Sequence, residues 1–260
     1  MLLNSVIILL REVLEAAVLT SILLGLCKHL HLSIRWFITA LVSGFFGAVV
    51  YALNIATISE MFDYTGQERV NGFTHVVIFM CLLLVVYLIN FKTSISQQVL
   101  TTLMTLCIAL AITREGSEIY LYLSSFVSDQ EQFSAVAAGG VIGTSIGLSV
   151  GTLTYYAMVY TSTQKVFYSS QLLIAVIASG ILSQTVPLFM QADLLPAQSA
   201  LWDSSFLLSE DSALGQLTYA ITGYEATPTL LQVCVNMFSL CTFFSLLSLA
   251  YYRNIKKTPD

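Results

Sequence analysis

Charge is what this sequence lacks. Only 10% of its 260 residues are Asp, Glu, Lys or Arg, where a soluble domain carries roughly 25%. A water-exposed globular surface cannot be built from so little, and no nucleic-acid partner is expected of a chain with only ten basic residues. Three histidines and no H-E-x-x-H spacing leave no zinc hydrolase to propose, so the chain does not read as an enzyme. No copper-oxidase or haem motif is present either. Cofactors are therefore not expected, and redox chemistry would have to come from a separate protein. The five cysteines (Cys27, Cys81, Cys107, Cys234, Cys241) lack C-x-x-C spacing and fall in or beside apolar runs; they read as small apolar residues. Met1 to Asn4 contains no basic residue, and the run behind it carries Arg11, Glu12 and Glu15 at its middle. This differs from a cleavable signal peptide, so the first helix is expected to stay in the mature protein. There is no N-x-[ST] sequon, which favours a bacterial inner membrane over a glycosylated surface.

What fills the chain instead is apolar. Hydrophobic residues make up 57% and the mean hydropathy is +0.82, with runs of about 20 such residues recurring throughout. The expected fold is an all-α membrane protein, one domain over 1–260, with seven transmembrane helices at about 2–26, 34–57, 70–91, 97–126, 135–161, 167–190 and 229–252. Residues 191–228 form the one long loop. Lys28, Arg35, Lys92, Lys165, Arg253, Lys256 and Lys257 fall on one side and only Arg69 on the other. By the positive-inside rule the N-terminus is outside and the C-terminus inside. Glu60, Asp63, Glu68, Asp129, Glu131, Asp193, Asp203, Glu210, Asp211 and Glu225 then all lie outside, a negative face that concentrates cations.

Two polar islands interrupt the apolar helices: Arg11-Glu12-Val13-Leu14-Glu15 and Arg114-Glu115-Gly116-Ser117-Glu118. At about 100° per residue, Arg, first Glu and second Glu fall at roughly 0°, 100° and 40°, on one face. Six ionised groups at membrane depth cost about 3 kcal/mol each, so something must compensate. Each arginine can neutralise the glutamate four residues on. Bringing the helices together then sets four carboxylates against two guanidiniums, a cation site. The two motifs lie at similar depth in antiparallel spans, three spans apart. That spacing predicts a 3+3 inverted repeat, about 1–92 and 93–190, plus a seventh helix, with substrate at the repeat interface. Gly139, Gly143, Gly147 and Gly151 form a stripe on span five for close helix packing. Carboxylate donors suit hard or borderline cations such as ferric, ferrous and manganous ions; calcium and magnesium are not excluded.

These motifs resemble those of the oxidase-dependent iron transporter family, which includes fungal high-affinity iron permeases and bacterial EfeU-type ferrous iron permeases. Its hallmark is R-E-G-x-E in the first and fourth of seven helices. Residues 114–118 match outright, and Val13 stands where the family often has glycine. Glu60-Met-Phe-Asp63 through Gly66-Gln67-Glu68 resembles the family's acidic link between helices two and three. Trp202-Asp203, Gly215 and Gly223 to Pro228 resemble the stretch entering the last helix. The resemblance implies that Glu12, Glu15, Glu115 and Glu118 bind and pass iron, with Arg11 and Arg114 setting charge and geometry. It also implies an extracytoplasmic oxidase or iron-delivery partner, with Glu60, Asp63 and Glu68 as an outer capture site. His75, Tyr120 and Tyr122 are further possible donors, though packing or an interfacial position explains each as well. The competing functions are transport of another divalent cation, proton-coupled transport, and a seven-helix receptor. A retinal protein is excluded, because residues 229–252 contain no lysine.

Overall fold

The computed structural model describes residues 1–91, 96–210 and 212–255. Lys92, Asp211, Lys256 and Lys257, counted above among the charges, lie outside the described residues, as do the side chains of Glu131 and Lys165. The described residues form nine helices and no sheet: α1 (Leu2–His29), α2 (Arg35–Leu53), α3 (Ile55–Tyr64), α4 (Gly66–Phe91), α5 (Gln97–Ser124), α6 (Gln130–Val159), α7 (Thr163–Gln191), α8 (Ala213–Thr222) and α9 (Leu230–Ile255). Among them α2, α4, α5, α6, α7 and α9 are long and apolar enough to cross a membrane. The chain is an integral membrane protein. α1 is of comparable length at 28 residues, about 42 Å at 1.5 Å per residue, but Arg11, Glu12 and Glu15 break its apolar run.

Two stretches differ from the sequence expectation. The span expected at 34–57 stops at Leu53, where the Asn54 side chain donates back to the Val50 carbonyl 2.8 Å away. This short-range bond offers the backbone an alternative to the helical ladder. The chain then forms α3 and turns through Phe62, Asp63 and Tyr64, all with positive φ. Arg69 holds that turn, its guanidinium 4.9 Å over the Phe62 ring and its Nε donating to Thr65 Oγ1 at 2.9 Å. The second difference lies in the expected loop 191–228, which contains α8. Ser212 caps that helix by accepting from the Gly215 amide at 3.0 Å, and Gly223, at φ 67°, ends it in the left-handed conformation.

Apolar burial does not drive helices together in lipid; close backbone approach and interhelical hydrogen bonds do. The glycine stripe of α6 lies against α1. A Cβ at Gly143 would stand 2.5 Å from the Val6 carbonyl oxygen, one at Gly147 2.9 Å from Val13, and one at Gly151 2.8 Å from Ala17. Ser21 donates to the Gly151 carbonyl at 2.7 Å. On the opposite seam α5 lies against α2, where Gly116 meets Ala48 and Thr113 donates to the Gly44 carbonyl at 3.2 Å. The packing pairs α1·α6, α5·α2, α4·α7, α1·α7 and α5·α4 interchange when α1 is swapped with α5, α2 with α6 and α4 with α7. Both motif helices thereby reach the centre, with α8 packed on α1 and α7 above them.

Candidate functional site

α1 and α5 meet at their polar islands. Arg114 Nη1 lies 2.6 Å from Glu115 Oε1 and 3.2 Å from Glu15 Oε2, while its Nη2 lies 3.1 Å from Glu118 Oε1. Arg11 Nε lies 3.5 Å from Glu15 Oε1 and 3.8 Å from Glu12 Oε1. Both expected four-residue pairs are present. The structure adds the bond across the helices from Arg114 to Glu15, which holds Glu15 between the two guanidiniums.

The other three carboxylates converge. Glu12, Glu115 and Glu118 each offer an oxygen within 4.8 Å of the others. Glu12 and Glu115 are buried, and one oxygen of each has no hydrogen-bond partner among the described residues. An unmatched buried acceptor costs about 1–3 kcal/mol, more when charged, and a cation shared among the three carboxylates would remove that cost. Oxygens around a six-coordinate ion of Mg²⁺ size stand about 3 Å apart at adjacent corners and about 4.2 Å at opposite ones. A small contraction brings this triad to that spacing. The donor set is all-oxygen, which fits ferrous, manganous and ferric ions.

Neighbouring helices steady the carboxylates. Asn71 of α4 donates to Glu118 Oε1 at 3.5 Å and accepts from the Tyr51 hydroxyl of α2 at 3.3 Å. Arg11 is held from above by α8: its Cζ lies 4.3 Å over the Tyr219 ring and its Nη1 donates to Gln216 Oε1 at 3.5 Å. A cavity of about 330 Å³ leads to the motifs, bordered by Arg11, Arg114 and Glu118 at its floor and by Glu210, Gln216, Tyr219 and Glu225 towards α8. Pro187 of α7 also lines it; a proline inside a helix removes one amide donor and disturbs the preceding turn. Burial pushes the Glu225 carboxyl above the ordinary glutamate range, against the hydrogen bond from Gln232 and assisted by repulsion from Glu210. On the side away from α8 the motifs are followed by closely packed apolar residues. Leu19, Ile22, Leu23, Ile78, Leu82 and Ile108 are 0–2% exposed and pack in one apolar cluster.

The remaining predicted donors lie elsewhere or in new company. Glu60 and Asp63 are exposed on α3 and do not border the 330 Å³ cavity. Glu68 is half-buried, with Oε2 unpartnered among the described residues. Tyr120 is exposed, and the Tyr122 hydroxyl lies 2.9 Å from Ser5 Oγ, tying α5 to α1. His75 is 1% exposed and borders the cavity. Asn71 escaped the sequence reading; the signal that could have found it is a polar amide one turn from His75 inside an apolar span. Gln216, Tyr219, Glu210 and Glu225 carry no such signal, because polar residues are ordinary in a loop.

A profile described as the iron permease FTR1 family matches residues 2–255. The chain is 24% identical over 249 residues to the ferrous iron permease EfeU of Yersinia pestis, covering 88% of this chain and 87% of that protein. The same protein of Yersinia pseudotuberculosis serotype I (strain IP32953) is also 24% identical, with 88% and 86% covered. No solved structure matches the chain. With the profile spanning almost every residue, the chain belongs to the iron permease FTR1 family, whose members are transporters rather than enzymes.

Proposed function

We propose that this protein carries ferrous iron through a bacterial inner membrane into the cytoplasm, using Glu12, Glu15, Glu115 and Glu118 as its ion-handling carboxylates. The observation that carries the reading is the convergence of Glu12, Glu115 and Glu118, from two helices, to within 4.8 Å of one another. Four carboxylates against Arg11 and Arg114 leave a formal charge of minus two, which one divalent ion balances. The ferrous form follows the name of the Yersinia relatives.

In this reading α1 is the seventh span, its charges tolerated because they face the bundle interior. The N-terminus lies outside, so the cavity below α8 opens outward. The interchangeable packing pairs support an inverted repeat of α1 to α4 and α5 to α7, with α9 appended. Ions enter past Glu210 and Glu225, meet the triad, and wait above the closed apolar cluster until a rearrangement opens the inner side. An extracytoplasmic oxidase or delivery protein hands iron to the outer face, where Glu60, Asp63 and Glu68 lie.

Radioactive iron uptake by cells making equal amounts of wild type and Glu115→Gln tests this. Loss of uptake in the variant is the expected result, and unchanged accumulation would overturn it. Competition by excess Mn²⁺, Zn²⁺ or Mg²⁺ in the same assay separates iron from another divalent cargo.

A further inference from the structure

His75 is the buried polar group that the carboxylate site leaves unexplained. It stands on α4, one turn beyond Asn71, and is 1% exposed. Neither of its ring nitrogens has a hydrogen-bond partner among the described residues. Folded proteins rarely leave both nitrogens of a buried imidazole unmatched, and such a group stands ready for a ligand. His75 borders the outer cavity, and it also borders a second one of about 20 Å³, shared with Glu15, Arg114 and Glu115. A volume of about 10–15 Å³ admits one water-sized sphere, so the small cavity suits a single ion or water.

Most of the small cavity's walls lie inward of the motifs, Ala220 of α8 being the exception. Its other walls include Leu19, Ile78, Ala111 and Ile181, each about a turn nearer the closed apolar cluster than the polar residue on its helix. Glu15 and Glu115 face Arg114 there, Glu15 being shared with Arg11, and the second Glu115 oxygen has no partner among the described residues, so a cation at this position would satisfy it. Glu115 borders this cavity and also belongs to the triad, so it touches both positions.

Resting on the iron-permease reading, we propose that the path holds a second, inner ion position in which His75 supplies a nitrogen donor beside Glu15 and Glu115, and that this nitrogen selects transition metals over Mg²⁺ and Ca²⁺. The triad alone is all-oxygen and accepts hard divalent ions of similar size. An imidazole nitrogen is a borderline donor that suits Fe²⁺ and its neighbours and adds little for Mg²⁺ or Ca²⁺. A carrier that must refuse the far commoner Mg²⁺ gains discrimination by making the ion pass from oxygen to mixed ligation. Glu115 provides the shared ligand for that step.

The test uses the full chain in lipid nanodiscs with Mn²⁺ as a paramagnetic probe, read by electron spin-echo modulation from ligand nitrogen. Nitrogen modulation is expected in wild type and in the His29→Gln/His31→Gln double variant, where His75 is the last of the chain's three histidines. It is expected to vanish in His75→Gln, with Fe²⁺ affinity falling about tenfold or more and Mg²⁺ affinity changing less than about twofold. The double variant carries the test alone if His75→Gln does not fold. Mn²⁺ binding that Glu115→Gln abolishes but that shows no nitrogen modulation, or modulation that persists in His75→Gln, overturns the role of His75 and leaves the permease reading standing. Failure of wild type to bind Mn²⁺ or Fe²⁺ overturns both.

Discussion

Arg114 of α5 and Glu15 of α1 are joined across the helix interface, Nη1 to Oε2, at 3.2 Å. The same guanidinium also holds Glu115 and Glu118, so one buried arginine organises three of the four motif carboxylates. Arg11 is more exposed, with a side chain 26% accessible, and contacts its two carboxylates only through Nε. The sequence-equivalent arginines are therefore unequal. An ammonium cannot reproduce the planar fork that spans three carboxylates. Arg114→Lys should abolish iron uptake and lower the melting temperature, whereas Arg11→Lys should reduce uptake by only a few fold. Radioactive iron uptake and thermal unfolding of the purified variants check the order, and equal losses would contradict it.

The helices and the polar island on each motif helix were legible in the sequence because lipid imposes a strong code. A run of apolar residues has no alternative to a helix at membrane depth, and a charge inside one stands out. The four-residue spacing gave Arg11–Glu15 and Arg114–Glu118, because it is a local property of a helix. The bond from Arg114 to Glu15 was not legible, since it depends on the rotation of α5 against α1. The same limit hid which three carboxylates converge: Glu15 lies between the two guanidiniums, while Glu12, Glu115 and Glu118, each also beside an arginine, bring oxygens within 4.8 Å of one another. The outer capture residues Glu60, Asp63 and Glu68 came from the family resemblance and lie on α3 and the first turn of α4, while the acids bordering the cavity, Glu210 and Glu225, are brought there by the fold of the chain around them.

Close packing along α1 and α6 sets where Glu12 and Glu15 stand, so it should be felt in transport. At Gly143 a methyl group would meet the Val6 carbonyl oxygen and, at 2.9 Å, the Leu10 amide nitrogen; these are backbone atoms that cannot swing aside. Gly143→Ala should cost about 1–3 kcal/mol of stability and depress uptake. At Gly25, by comparison, the nearest atom is Met158 Cβ at 3.0 Å, a less severe approach than 2.5 Å to a carbonyl oxygen, and Gly25→Ala should be milder in both readouts. Thermal unfolding in detergent and iron uptake together check the pair.

Tyr219 holds Arg11 towards α8, 4.3 Å from its ring centre. A cation over an aromatic face is worth about 0.5–2 kcal/mol. Freed from that ring, Arg11 would settle further onto Glu12 and Glu15 and compete with the incoming ion. Tyr219→Leu should raise the KM for iron about three- to tenfold while leaving the maximal rate closer to wild type. A fall in maximal rate at unchanged KM would point instead to a role in the conformational step.

Glu225 gives a pH test outside the membrane-spanning helices. Burial raises its pKa, the Gln232 hydrogen bond opposes that rise, and Glu210 adds to it. The folded protein thus holds this proton more tightly than the unfolded chain does. Between the ordinary glutamate value and the raised one, the native state binds more protons than the unfolded state, so stability falls as pH rises through that window. Glu225→Gln removes the titration while keeping an oxygen able to accept from Gln232. Melting temperatures of wild type and variant should differ least at a pH below the ordinary glutamate range. The variant should gain on wild type as pH rises through the window, then hold a constant lead above it. A lead that shrinks with rising pH would mean that the carboxylate, once ionised, finds a partner that stabilises it.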